Sequence, residues 1–183
     1  MKTKLVGLVL ILCMVFSMAH ATAETASVEA QLADIVKSAL DSKEIRYEYD
    51  AENNRFSLEF ALDSALGSAV VTIFLYDDMV SVVVDSPIKV KQERFENAAV
   101  FTTLANCELY YAQFRIDYES GWLSCRSCNV IETVLPAEEE IITLLYMPIG
   151  SMDDYGDGIA AVCTTDADPY EAFEACKAAK DAA

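Results

Sequence analysis

Between Leu109 and Ile131 apolar and polar residues alternate with the period of a half-buried strand, and this stretch limits what the rest can fold into. Tyr110, Ala112, Phe114, Ile116 and Tyr118 share one face; Tyr111, Gln113, Arg115 and Asp117 share the other. Glu119-Ser120-Gly121 supplies a tight turn, with glycine where a left-handed residue is wanted. Trp122 to Ile131 then runs back as the partner strand. A slip of one residue would turn the whole apolar set to water, so the register is specified. It places Leu123 and Cys125 inward, and Arg126 and Cys128 outward. Helix-like segments lie on either side, so the chain is expected to pack around this hairpin.

At the N-terminus Lys2 and Lys4 precede an apolar run from Leu5 to Phe16, and Ala19 and Ala21 stand as in an A-x-A cleavage site. A membrane span needs about 20 apolar residues, and this run is too short. Leu12 before Cys13 is too bulky for a lipoprotein site. The expectation is an exported bacterial protein, in the cell envelope, the periplasm or the medium. Residues 1–21 are its signal, cleaved after Ala21 or, with Ala21-Thr22-Ala23 as the site, after Ala23. An uncleaved anchor is the alternative. Removing 21 of 183 residues leaves 162, enough for one domain with a sizeable core over residues 22–183, residues 167–183 forming a C-terminal helical extension.

The leader carries two lysines and no acidic residue, so its loss takes the formal charge from −17 to −19. Such a chain repels phosphate backbones and anionic lipid surfaces. Nucleic acid is not an expected partner, nor is stable membrane insertion after cleavage. The acidic residues read as a solvated surface that keeps an exported protein soluble.

Val28, Leu32, Ile35, Val36 and Ala39 recur at helical spacing. Ile45–Asp50 and Phe56–Leu62 alternate as one-sided strands around the turn Ala51–Asn54. Val70–Tyr76 and Met79–Val84 are apolar at nearly every position, with Asp77-Asp78 between them, and read as central strands covered on both faces. A helix follows from about Lys91 to Ala105, with Phe95, Ala98, Ala99 and Thr102 as its stripe, and then the hairpin. Beyond Pro136, Glu138-Glu139-Glu140 open a helix that Pro148 and Gly150 should kink or split. Asp168-Pro169-Tyr170-Glu171 caps a short terminal helix.

The order is thus helix, four strands, helix, two strands, then helices: an α+β fold with a mainly antiparallel sheet. With the strand YYAQFRIDY, the turn ESG, the returning WLSCR and the closing LPAEEEIITLLYMPIGSMDDYGDGIAAV, the chain resembles the YbjN-type family of candidate bacterial sensory-transduction regulators. The resemblance covers roughly Val28 to Val162. It implies the architecture of type III secretion chaperones, which bind extended protein segments and often pair as dimers.

The one histidine, His20, lies in the leader, so the mature chain lacks the usual general base, and Ser-His-Asp and Cys-His catalysis are excluded. No motif isolates a carboxylate pair for acid–base work. Asp153-Asp154-Tyr155-Gly156-Asp157-Gly158 resembles a calcium loop only in part: Tyr155 and Thr164 occupy the third and twelfth positions, where oxygen ligands are required. It reads instead as a polar, solvent-facing helix segment. Cys125-Arg126-Ser127-Cys128 lies in a strand, where residues three apart face opposite ways, so it fits neither a redox pair nor half of a zinc site. Five mature cysteines make an odd number, and Cys163 and Cys176 are the best candidates for a bridge.

No catalytic, cofactor-binding or metal-binding residue is assigned. The expected function is a non-enzymatic, exported protein-binding module, chaperone-like or regulatory, using a sheet edge or helix groove and open to homodimer formation. The alternative is a small carboxylate-based hydrolase or divalent-cation binder, which would gather acids in one pocket.

Overall fold

The computed structural model describes residues 27–182. The signal segment, its expected cleavage at Ala21 or Ala23, and His20 lie outside the described residues. Helix α1 (Val28–Ser42) begins where the Ser27 hydroxyl accepts a hydrogen bond from the Ala30 amide at 3.2 Å, and it buries Leu32, Val36, Ala39 and Leu40. Strands β1 (Glu48–Asp50), β2 (Arg55–Ala61), β3 (Ser68–Leu75) and β4 (Met79–Asp85) follow as a meander. The Asp50 carboxylate closes the first turn by accepting from the Glu52 and Asn53 amides. A 3₁₀ turn (Gln92–Arg94) leads into α2 (Phe95–Glu108), then β5 (Gln113–Ile116) and β6 (Leu123–Val130). Helices α3 (Glu138–Asp154), α4 (Gly156–Thr164) and α5 (Pro169–Ala182) complete the described chain.

The expected element order and the α+β class are both found. The sheet runs β1-β2-β3-β4-β6-β5 and is antiparallel throughout. Helix α2 carries the chain past one position, and β6 returns to fill it between β4 and β5. Phe56, Val71, Ile73, Val82, Leu123 and Cys125 point to one face, where α3 supplies Ile141, Leu145 and Met152 at the centre of the core. The Asp168 carboxylate accepts from the Tyr170 and Glu171 amides, so α5 is capped as its sequence requires. This helix belongs to the common core: Phe173 and Cys176 are buried, and Phe173 stacks on Tyr155 with ring centroids 6.2 Å apart.

The hairpin keeps its expected register. Phe114 lies opposite Cys125 and Ile116 opposite Leu123. Gly121 has φ +74°, and a Cβ there would stand 2.6 Å from the Val90 carbonyl oxygen, so both conformation and space demand glycine. The strand is shorter than its alternation implies. Tyr110 and Tyr118 are exposed rather than buried, because the first lies in the bend leaving α2 and the second in the turn itself. Asn106 fixes that bend: its side chain accepts from the Phe114 amide at 2.7 Å and donates to the Phe114 carbonyl at 3.1 Å.

Two further expectations are corrected. Strands β3 and β4 are central in the sheet but covered on one face only; Val70 is 53% exposed. The stretch beyond Pro136 does form two helices, but the break falls at Tyr155 and not at Pro148 or Gly150, the first helix running on to Asp154. Pro148 offers no amide to the Leu144 carbonyl. The buried Ser127 hydroxyl donates to that oxygen instead, at 2.7 Å, from the neighbouring strand β6.

Candidate binding surface on the open sheet face

The helices α1–α5 leave the other face of the sheet uncovered. Across it the register sets three rows: Glu59, Val70, Asp85, Ser124 and Arg115; then Ser57, Thr72, Val83, Arg126 and Gln113; then Arg55, Phe74, Ser81 and Cys128. The middle is apolar or small apart from the Asp85 carboxylate, and the β6–β5 end carries two arginines. Aromatic side chains rim that end. Tyr110 and Tyr111 rise where α2 gives way to β5, and Tyr118 and Trp122 flank the hairpin turn. Tyr118 and Trp122 are braced from behind: Phe95 packs on Tyr118 at 5.2 Å between centroids, and the Lys89 ammonium sits 4.1 Å from the Trp122 ring centre.

Two shallow hollows of about 490 and 440 Å³ lie along this end, and Arg115 and Arg126 line both. The first also takes in Tyr110, Tyr111 and Cys128, the second Val83, Tyr118 and Trp122. Arg126 donates from Nε to the Ser81 hydroxyl at 2.8 Å, which buries that serine on an otherwise open face. Of eleven large hydrophobic side chains exposed among the described residues, seven (Val70, Tyr76, Tyr110, Tyr111, Tyr118, Trp122 and Val130) sit on this face or its rim. A patch gathered in this way marks an interaction surface.

The sheet edges offer less. The outward amide and carbonyl of Phe114 on β5 are occupied by Asn106, and β1 at the opposite edge is three residues long. An added strand would find little free backbone at either end.

The motifs singled out in the sequence fall elsewhere. Cys125 is buried and Cys128 exposed, on opposite faces as expected; burial pushes the Cys125 thiol up to about 12. Cys163 and Cys176 are both buried and free, and the bridge expected between them is not formed in the structure. Cys176 packs on Gly158, where an added Cβ would stand 2.9 Å from its sulfur. Cys163 lies five residues further along α4, about 140° around the helix axis. Burial raises both thiols, Cys163 to about 11.

The acidic segment Asp153–Gly158 is neither a cation loop nor a solvated stretch. Asp153 accepts from the Ser64 amide at 2.8 Å and Asp157 from the Ala65 amide at 2.7 Å, pinning the β2–β3 loop, while Asp154 pairs with Lys180. Tyr155 is buried among Phe101, Phe114 and Phe173. Among the described residues no group of three His, Cys, Asp or Glu side chains is placed to hold a metal ion, and no helix is long and apolar enough to cross a membrane.

Arg115 and Arg126 were legible as outward residues but not as a pair, because their proximity follows from the hairpin register. The available signal was two arginines facing the same way beside aromatic residues in a strongly acidic chain.

No family model matches the sequence, and no curated protein resembles it in sequence. Its structure is similar to the crystal structure of YbjN from E. coli, described as a candidate transcription regulator. The two share 11% identity with a TM-score of 0.52, over 81% of this chain and 93% of that one. The helices and the six-stranded antiparallel sheet described above are thus those of the YbjN fold.

Proposed function

We propose that this chain is a non-enzymatic, exported protein-binding module that holds its partner on the open face of the sheet. The observation that carries this reading is that, among the described residues, seven of eleven exposed large hydrophobic side chains gather on one uncovered face and its rim. Exposed apolar and aromatic side chains clustered on one side of a molecule are covered in use, and side chains braced by neighbours, as Trp122 and Tyr118 are, bind with less loss of freedom. The regulator-like fold of the structural neighbour is compatible with such a role. Export rests on Lys2, Lys4, the run Leu5–Phe16 and the small residues to Ala21. A surface of this size and character suits a second protein better than a second copy, since pairing two such acidic chains adds their repulsion.

Photo-crosslinking side chains placed at Val70, at Tyr111 and, as a control, at Tyr170 on α5 test this in cultures that secrete the protein. Discrete adducts with another protein from Val70 and Tyr111, and none from Tyr170, are expected. Equal labelling from all three positions, or none from the sheet face, would overturn the reading. An adduct of twice the chain mass alone would replace the partner with a second copy.

A further inference from the structure

Resting on that reading of the sheet face, we propose that its recognition element is a single carboxylate side chain of the partner, clamped between Arg115 and Arg126. The apolar neighbours of that residue occupy the two flanking hollows. Arg115 lies opposite Ser124 and Arg126 opposite Gln113, so the two arginines are diagonal neighbours on the outward side of β5 and β6. Diagonal partners stand about 7–8 Å apart at the backbone, within reach of one ligand for long side chains. A guanidinium presents parallel donors that match the two oxygens of a carboxylate, which favours this anion over a neutral amide.

The charge distribution points the same way. The chain has 30 acidic and 13 basic residues, yet among the described residues neither arginine is in an ion pair. Lys37, Arg55, Arg94, Lys177 and Lys180 are paired, and Lys43, Arg46, Lys89 and Lys91 are not, but of the unpaired cations only Arg115 and Arg126 stand side by side on the sheet face. Of the nearby acids, Asp117 is turned into its own loop, accepting from the Glu119 amide and the Ser120 hydroxyl. Asp85 stands two strands away from Arg115 and, although diagonal to Arg126 across β4 and β6, forms no ion pair with it. The face therefore keeps two adjacent cations unneutralised in a molecule of charge −17.

That overall charge sets the ligand class. A polyanion meets repulsion from the whole molecule, whereas one carboxylate in an apolar segment feels chiefly the two guanidiniums within a screening length of about 8–10 Å. The occupant is an extended polypeptide segment with an isolated Asp or Glu between apolar or aromatic residues. The hollows on either side, bounded by Tyr111 and by Trp122, take those neighbours.

Trp122 is the chain's single tryptophan and lies at this site, so its fluorescence reads occupancy directly. The secreted protein is titrated with two end-blocked pentapeptides, Val-Phe-Asp-Tyr-Val and its Asn counterpart, and with decaglutamate. The Asp peptide is expected to shift Trp122 emission saturably, and the Asn peptide to bind at least about tenfold more weakly. Decaglutamate should bind more weakly still. Arg115→Gln, which removes a side chain with no partner to lose in the fold, should bring the two pentapeptides close together. Adding Arg126→Gln should make them equal. Equal affinity of the unaltered protein for both pentapeptides overturns the carboxylate clamp while leaving a protein-binding face. No response to either peptide, with the Val70 and Tyr111 crosslinks intact, overturns it as well. Loss of those crosslinks is instead the failure of the binding reading itself.

Discussion

Pro148 withholds one hydrogen-bond donor from the middle of α3, and a serine on β6 supplies another. The Leu144 carbonyl is buried under the sheet, and the Ser127 hydroxyl is its replacement partner at 2.7 Å. Ser127→Ala should therefore cost about 1–3 kcal/mol, the penalty for leaving a buried acceptor unpaired. In a Pro148→Ala background the restored amide can reach Leu144, and the same serine change should cost clearly less. Urea unfolding of the four proteins of this double-mutant cycle measures the coupling, and a cost unchanged by Pro148→Ala would refute the replacement. Within the CxxC stretch the sequence made the inward Cys125 and outward Cys128 legible, because alternation and turn geometry are local. The role of Ser127 was not legible, since it depends on a carbonyl 17 residues away that only the packing of α3 on β6 brings near.

At the scale of elements, the junction between α3 and α4 acts as a clasp. Asp153 on the last turn of one helix and Asp157 on the first turn of the next hold consecutive amides, Ser64 and Ala65, of the loop between β2 and β3. Tyr155 between them is locked into the aromatic cluster. Replacing both aspartates with asparagine keeps side-chain size but gives up charge-assisted acceptors. The expected outcome is faster hydrogen exchange confined to the loop from Leu62 to Gly67, with α3 itself unchanged. Protection that stays as it was would show that the loop is held by its own turns. The helix pattern around Glu138 was legible from its acidic first turn and apolar spacing. Its break was not, for two physical reasons: the donor lost at Pro148 is replaced from another element, and the stop at Tyr155 is fixed by rings from α2, β5 and α5. Asp153 and Asp157 reach 89 and 92 residues back along the chain, so their segment could not show its job in local sequence.

For the molecule as a whole, the apolar runs of β3 and β4 were read as buried on both faces, and one of those faces is open. Periodicity reports which residues avoid water, and it cannot separate a face covered by the chain's own helices from one covered in use by another molecule. Asp85 shows what this open face costs in isolation. It is half-buried on β4, and among the described residues no hydrogen bond or ion pair reaches its carboxylate; desolvation raises its pKa above the ordinary carboxylate value. The folded chain thus holds this proton more tightly than the unfolded chain does, so protonation favours the fold. The contribution is fully present below the unfolded pKa of about 3.9 and is lost as pH rises through the raised folded value. Asp85→Asn has no charge to bury, so at pH 7 the variant should unfold at higher urea than the natural protein. The gap should narrow as pH falls and reach its acid-side minimum below about pH 4. The repulsion among the other acids is common to both proteins and cancels from the difference. A urea midpoint gap that stays constant from pH 3 to pH 7 would mean that Asp85 titrates no differently folded than unfolded, and that partial burial on this face carries no electrostatic cost.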